Sequence, residues 1–93
     1  MDPVRLIDFD RSTGDLTPQL RLYVEGPPNR PICDLRVRDG QLDLIPGTGR
    51  PLTLDQFRAR TQQVKPTASL FLAGPPPQRL YGYRLIPQCL LLG

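Results

Sequence analysis

Cys33-Asp34-Leu35-Arg36-Val37-Arg38-Asp39-Gly40-Gln41-Leu42-Asp43-Leu44-Ile45-Pro46 is the stretch that decides the fold class. Asp39-Gly40 favours the left-handed dihedrals of a type I′ turn, whose twist suits paired strands. A two-residue turn fixes the register. Arg38 then faces Gln41, Val37 faces Leu42, Arg36 faces Asp43 and Leu35 faces Leu44. Apolar residues meet on one side, and Arg36 meets an opposite charge on the other, a cross-strand pair worth roughly 0.2–1 kcal/mol. Slipping by one residue would turn the leucines into water. The reading is a β protein.

The same punctuation continues outward. Twelve prolines and eight glycines in 93 residues break the chain into short segments and disfavour long helices. Pro18 to Glu25 alternates, with Leu20, Leu22 and Val24 on one face and Arg21, Tyr23 and Glu25 on the other. Val4 to Phe9, Ala68 to Ala73 and Gln78 to Ile86 read as further strands, the last with Gly82 as a bulge or close approach. Gly74-Pro75-Pro76-Pro77 is a stiff spacer, and Pro46 to Pro51 is a loop. One short helix is expected within Leu52 to Gln63, where Thr53 and Gln56 have capping-box spacing and Asp55 occupies the first turn. Cys89 to Leu92 must insert as a strand or pack on another copy.

Size allows one domain, residues 1–93, with a core mostly of leucine and valine because only 6% of residues are aromatic. Monomers this small are often marginal, so oligomerisation is expected. The net charge of +3 rests on eleven arginines and the single Lys65. The arginines are dispersed among acidic residues and lack aromatic stacking clusters, which weighs against nucleic-acid binding. Acidic lipid heads remain an electrostatic match. Cys33 and Cys89 are too few for a secreted disulfide scaffold and read as small buried side chains. Met1-Asp2-Pro3 does not begin a secretory signal, and Leu90-Leu91-Leu92 is far too short to span a bilayer.

Catalytic chemistry finds little footing. Histidine is absent, Asp8 and Asp10 are spaced as on a solvated strand face, and neither cysteine has a base to activate it. Gly47-Thr48-Gly49-Arg50 lacks the ending of a phosphate loop. No catalytic residue, metal ligand or cofactor is expected, and the chain is not read as an enzyme.

The order of elements resembles a viral family. Leu35-Arg36-Val37, Gln41-Leu42-Asp43-Leu44, Leu52-Thr53-Leu54-Asp55-Gln56-Phe57-Arg58-Ala59-Arg60, the apolar strand Ala68 to Leu72, the apolar C-terminus, Gln19-Leu20-Arg21-Leu22 and the opening Met1-Asp2-Pro3 together are similar to the betacoronavirus accessory proteins encoded in an alternative frame within the nucleocapsid gene, the nine-b family. A Leu-, Pro-, Arg- and Gln-rich chain with one lysine also suits an overprinted frame. The resemblance implies an all-β, intertwined homodimeric β-sandwich around a central apolar tunnel that holds a fatty acid or lipid. It implies peripheral association with intracellular or mitochondrial membranes in the host cytoplasm, and interference with interferon signalling through a mitochondrial outer-membrane import receptor. The tunnel positions it implies are Leu20, Leu22, Val24, Leu35, Val37, Leu42, Leu44, Leu70 and Leu72, with arginines at the mouth for an anionic head. The receptor segment it implies centres on Leu52, Leu54, Phe57 and Arg58. Pro46, Gly47, Gly49 and Pro51 depart from the continuous helix that this segment would need. The other readings are a structural β module of a virion or phage assembly without ligand, and an arginine-rich nucleic-acid binder.

Overall fold

A computed structural model describes residues 4–93; Met1-Asp2-Pro3 lie outside the described residues. The chain runs α1 (Leu6–Ser12), β1 (Arg21–Val24), β2 (Arg30–Arg38), β3 (Gln41–Pro46), α2 (Leu54–Arg60), β4 (Ser69–Leu72), β5 (Gln78–Arg79), β6 (Tyr83–Ile86) and β7 (Cys89–Leu92). It is mostly β, with two short helices rather than one.

The central hairpin has the expected register, Arg38↔Gln41 through Leu35↔Leu44, and Arg36 reaches Asp43 at 3.3 Å. Its turn is not type I′, because Gly40 has φ +66° while Asp39 stays out of the left-handed region. Asp43 is fully buried and takes a second ion pair from Arg38 at 2.6 Å. The expected strand over Val4 to Phe9 is extended only at its start. The Val4 carbonyl accepts from Leu70 N–H, and its own N–H donates to Leu80. From Leu6 the chain is helical, because Leu6, Phe9 and Thr13 are spaced three and four apart and all three are buried. In α2 the capping box forms as expected: Gln56 N–H donates to Thr53 Oγ1 at 3.1 Å, and Thr53 N–H to Gln56 Oε1 at 2.9 Å. The helix stops at Arg60, where Thr61 Oγ1 turns back onto the Phe57 carbonyl at 2.9 Å.

The strands form one sheet in the order β5-β4-β3-β2-β1-β7-β6, with β3–β4 and β1–β7 parallel and the other pairs antiparallel. β5 and β6 are consecutive in the chain yet lie at the two ends of that order. The sheet therefore curls until both edges meet in the segment Gln78 to Ile86. Leu80 N–H donates to Leu70 on the β4 side, while Tyr81 and Gly82 N–H both donate to the Gly93 carbonyl on the β7 side. Gly82 is the crossing point between edges rather than a bulge within one strand.

The structure also exposes an internal repeat. An offset of 48 residues, 54 less 6 at the helices, superimposes α1 on α2, β1 on β4, β2 on β5 plus β6, and β3 on β7. Hydrogen bonds obey it: Leu6 N–H to Ala68 has its twin in Leu54 N–H to Leu20, and Ala73 N–H to Leu44 in Glu25 N–H to Leu92. The bridge Arg5↔Ser69 becomes Thr53↔Arg21. Identical residues mark the repeat at Leu6/Leu54, Phe9/Phe57, Thr13/Thr61, Leu22/Leu70, Gly26-Pro27-Pro28/Gly74-Pro75-Pro76, Leu42/Leu90 and Leu44/Leu92. The halves interlock, since the first strand of each half lies parallel to the last strand of the other.

Phe9 and Phe57, which are twins, meet edge to face with centroids 5.1 Å apart. Tyr83 caps Phe9 at 5.7 Å. Below them Leu22, Ile32, Leu42, Leu44, Leu54, Leu70, Leu80 and Leu90 are all fully buried in one cluster. Phe9→Ala and Phe57→Ala should each cost about 3–5 kcal/mol in chemical denaturation. The double variant should depart from additivity by about 0.5–1.5 kcal/mol, because the two rings touch.

Candidate functional site

The 48-residue offset also relates two surface clefts. Cleft A, about 420 Å³, lies between the segment after α1 (Asp15, Leu16, Thr17, Leu20) and the β6–β7 turn (Leu85, Ile86, Pro87, Gln88). Cleft B, about 340 Å³, lies between the segment after α2 (Gln63, Val64, Lys65, Ala68) and the β2–β3 turn (Val37 to Gln41). Both volumes fall in the range of about 300–1,000 Å³ typical of ligand-sized sites. Local folding explains both. Thr13 and Thr61 stop their helices, and Pro18 and Pro66 begin the return to the next strand. The returning segment passes a hairpin tip supplied by the other half.

Two of the three large exposed apolar side chains flank these clefts. Val37 is 61% exposed and Leu85 is 55% exposed, and they are twins. The clefts differ in charge. Asp15 is the charged residue lining A, while B carries Arg38 and Lys65 against Asp39. Arg21 stands beyond A in an adjoining hollow shared with Thr17, Leu20 and Gln88. Among the described residues neither Asp15 nor Lys65 makes an ion pair, whereas Arg38 is held by Asp43.

The residues expected at a lipid tunnel divide into two groups. Leu20, Leu22, Leu42, Leu44 and Leu70 are core residues of the single chain, packed against one another. Val24, Leu35 and Leu72 are half-buried at its margin. Val37 shares the inner face with its partner Leu42 but is left uncovered, because beyond Leu35 the hairpin projects past the barrel and its tip is exposed from Arg36 to Gly40. The expected receptor residues Leu52, Leu54 and Phe57 are buried as well. Arg58 is half-buried and donates to the Thr13 carbonyl at 2.5 Å. Offering this segment to a receptor would require pulling it out of the core.

Two carboxylates outside the clefts are held by arginines. Asp34 is held below its ordinary carboxyl range by Arg60, which ties α2 to β2. Asp8 is lowered likewise by Arg5. Asp10 is the exception. Its Oδ1 is buried with no hydrogen-bond partner, and burial raises its pKa against the pull of Arg58. Among the described residues no group of three or more His, Cys, Asp or Glu could hold a metal ion. No helix among them is long and apolar enough to cross a membrane.

No protein-family model matches this chain, and no curated protein or solved structure is significantly similar to it. The clefts were legible only through the repeat. Leu85-Ile86-Pro87-Gln88-Cys89-Leu90 does not look like a hairpin until it is aligned with Val37-Arg38-Asp39-Gly40-Gln41-Leu42.

Asp10 yields a pH test. A raised folded-state pKa means that ionising the carboxyl costs stability as pH climbs through its range. Asp10→Asn should therefore raise the thermal midpoint near neutrality, and the gain should vanish below about pH 4, where the carboxyl is protonated folded or unfolded. Thermal melts of both proteins across that range measure it.

Proposed function

We propose that this chain is a non-catalytic β module that associates with further copies of itself, cleft A of one copy meeting cleft B of the next. The observation that carries the reading is the twinned exposure of Val37 and Leu85, each at one of the twin clefts, with Asp15 in one cleft and Lys65 in the other. Strand-edge pairing is not the route, because the curled sheet has joined its own edges. Contact must run through side chains. Leu85 would enter B over Val64 and Ala68, while Val37 enters A over Leu16 and Leu20.

Each copy carries both clefts, so the contact is head-to-tail and propagates into a ring or a filament. Its strength is modest. Burying one Val or Leu side chain contributes about 1.5–3 kcal/mol, whereas association costs an estimated 4–15 kcal/mol in lost motion. Assembly should therefore grow with protein concentration, as suits a subunit packed at high local density in a virion or phage particle. A lipid role of the kind the nine-b resemblance implies would place the acyl chain between copies, since leucines fill the interior of one. That role presupposes the same association.

Sedimentation velocity and native mass spectrometry over a concentration series test the reading. Species larger than a dimer are expected. Val37→Glu or Leu85→Glu, both at exposed positions, should leave monomers. A mixture of the two variants retains one good A and one good B, so it should form a one-to-one dimer and nothing larger. Monomers at every concentration, or assemblies indifferent to both variants, would overturn the proposal.

A further inference from the structure

A third cavity, about 210 Å³, opens at the ends of β1 and β4, away from the helices that cover their starts. Its composition follows from register. Val24 pairs with Arg30 and Leu72 with Gln78, and these two pairs are twins. Cross-strand partners share a face of the sheet. Val24 and Leu72 pack against the core, so Arg30 and Gln78 leave the strands on that same inner face, at its last rung. Their side chains rise at the mouth of the barrel over an apolar floor. Pro46 and the Gly74-Pro75-Pro76 turn form the walls.

Arg30 is the cavity's one charged lining residue. Among the described residues its guanidinium has neither an ion pair nor a side-chain hydrogen bond, and the Gln78 amide has no side-chain partner either. The five arginines that do pair with carboxylates (Arg5, Arg36, Arg38, Arg60 and Arg84) all lie elsewhere. An unpaired guanidinium beside an amide and over aliphatic side chains has a definite preference: an oxyanion taken bidentately, carrying a short apolar stem. The volume is below the usual range of about 300–1,000 Å³, which limits the stem to a few carbons and excludes a long acyl chain.

We infer that the barrel mouth is a binding site for a small amphiphilic oxyanion, a short-chain carboxylate or phosphate monoester, with its head on Arg30 and Gln78 and its stem on Val24 and Leu72. The site is independent of clefts A and B and is filled or empty whatever the state of assembly. The twin relation makes it polar across its own axis, because Arg30 lies opposite a neutral Gln78 where exact symmetry would place two like side chains.

Hexanoate and hexyl phosphate, titrated into isotope-labelled full-length protein, test the inference, with hexanol and hexylamine as neutral and cationic controls. Saturable NMR shifts are expected at the Val24 and Leu72 methyls and the Gly74 amide for the two anions, and not for the controls. The stronger of the two anions identifies the preferred head. Arg30→Gln, a change at an exposed and unpaired side chain, should weaken binding about tenfold or more. Gln78→Arg should strengthen it. The inference is overturned if neither anion shifts these signals, if hexanol binds as well as hexanoate, or if Arg30→Gln leaves the titration unchanged.

Discussion

One short segment sets what the rest of the molecule can be. Gln78 to Ile86 is paired with β4 at its start and with β7 at its end, so a single piece of backbone belongs to both edges of the sheet. Once it does, the sheet has an inside, and that inside must be filled at protein density. Leucine fills it, helped by Ile32, Phe9 and Phe57. Every later feature inherits this closure. The apolar C-terminal strand finds cover within its own chain, backbone edges are unavailable to partners, and the large apolar side chains left exposed are Val37 and Leu85 at the hairpin tips and Tyr81 between β5 and β6.

Much of this was legible in the residues. Alternation located β1, and the Asp39-Gly40 pair set the register of β2 and β3 down to the Arg36–Asp43 ion pair. The Thr53–Gln56 capping box placed the start of α2. The misreadings share a cause. Val4-Arg5-Leu6-Ile7-Asp8-Phe9 looks like a strand because its apolar residues crowd together. Only Thr13, four residues past Phe9, shows that the spacing is helical. Period-two patterning assigns faces without saying what covers them, and the burial of Asp43 was not legible: the outer face of β3 is covered by Arg36, Arg38 and the neighbouring Phe71. The β6–β7 turn lacks an Asp-Gly signal, although Gln88 at φ +66° takes the same left-handed φ as Gly40.

The repeat was the largest missed signal, and it was present at constant spacing. Identities between the halves lie mainly at buried positions and at the Gly-Pro-Pro turns, while surface twins have diverged: Asp10 against Arg58, Thr17 against Lys65, Arg30 against Gln78. Divergence of this kind separates what the fold needs from what may vary. It gives a pseudo-symmetric body chemically distinct ends, which is where both clefts and the mouth acquire their polarity.

The linker Gly47 to Pro51 has a consequence of its own. Two interleaved halves of about forty residues lie below the size at which isolated chains usually hold a fold, and as separate pieces they would have to find one another by diffusion. Tethered, each meets the other at a fixed effective concentration set by a handful of residues. The barrel's integrity is thereby a unimolecular property that dilution cannot erode.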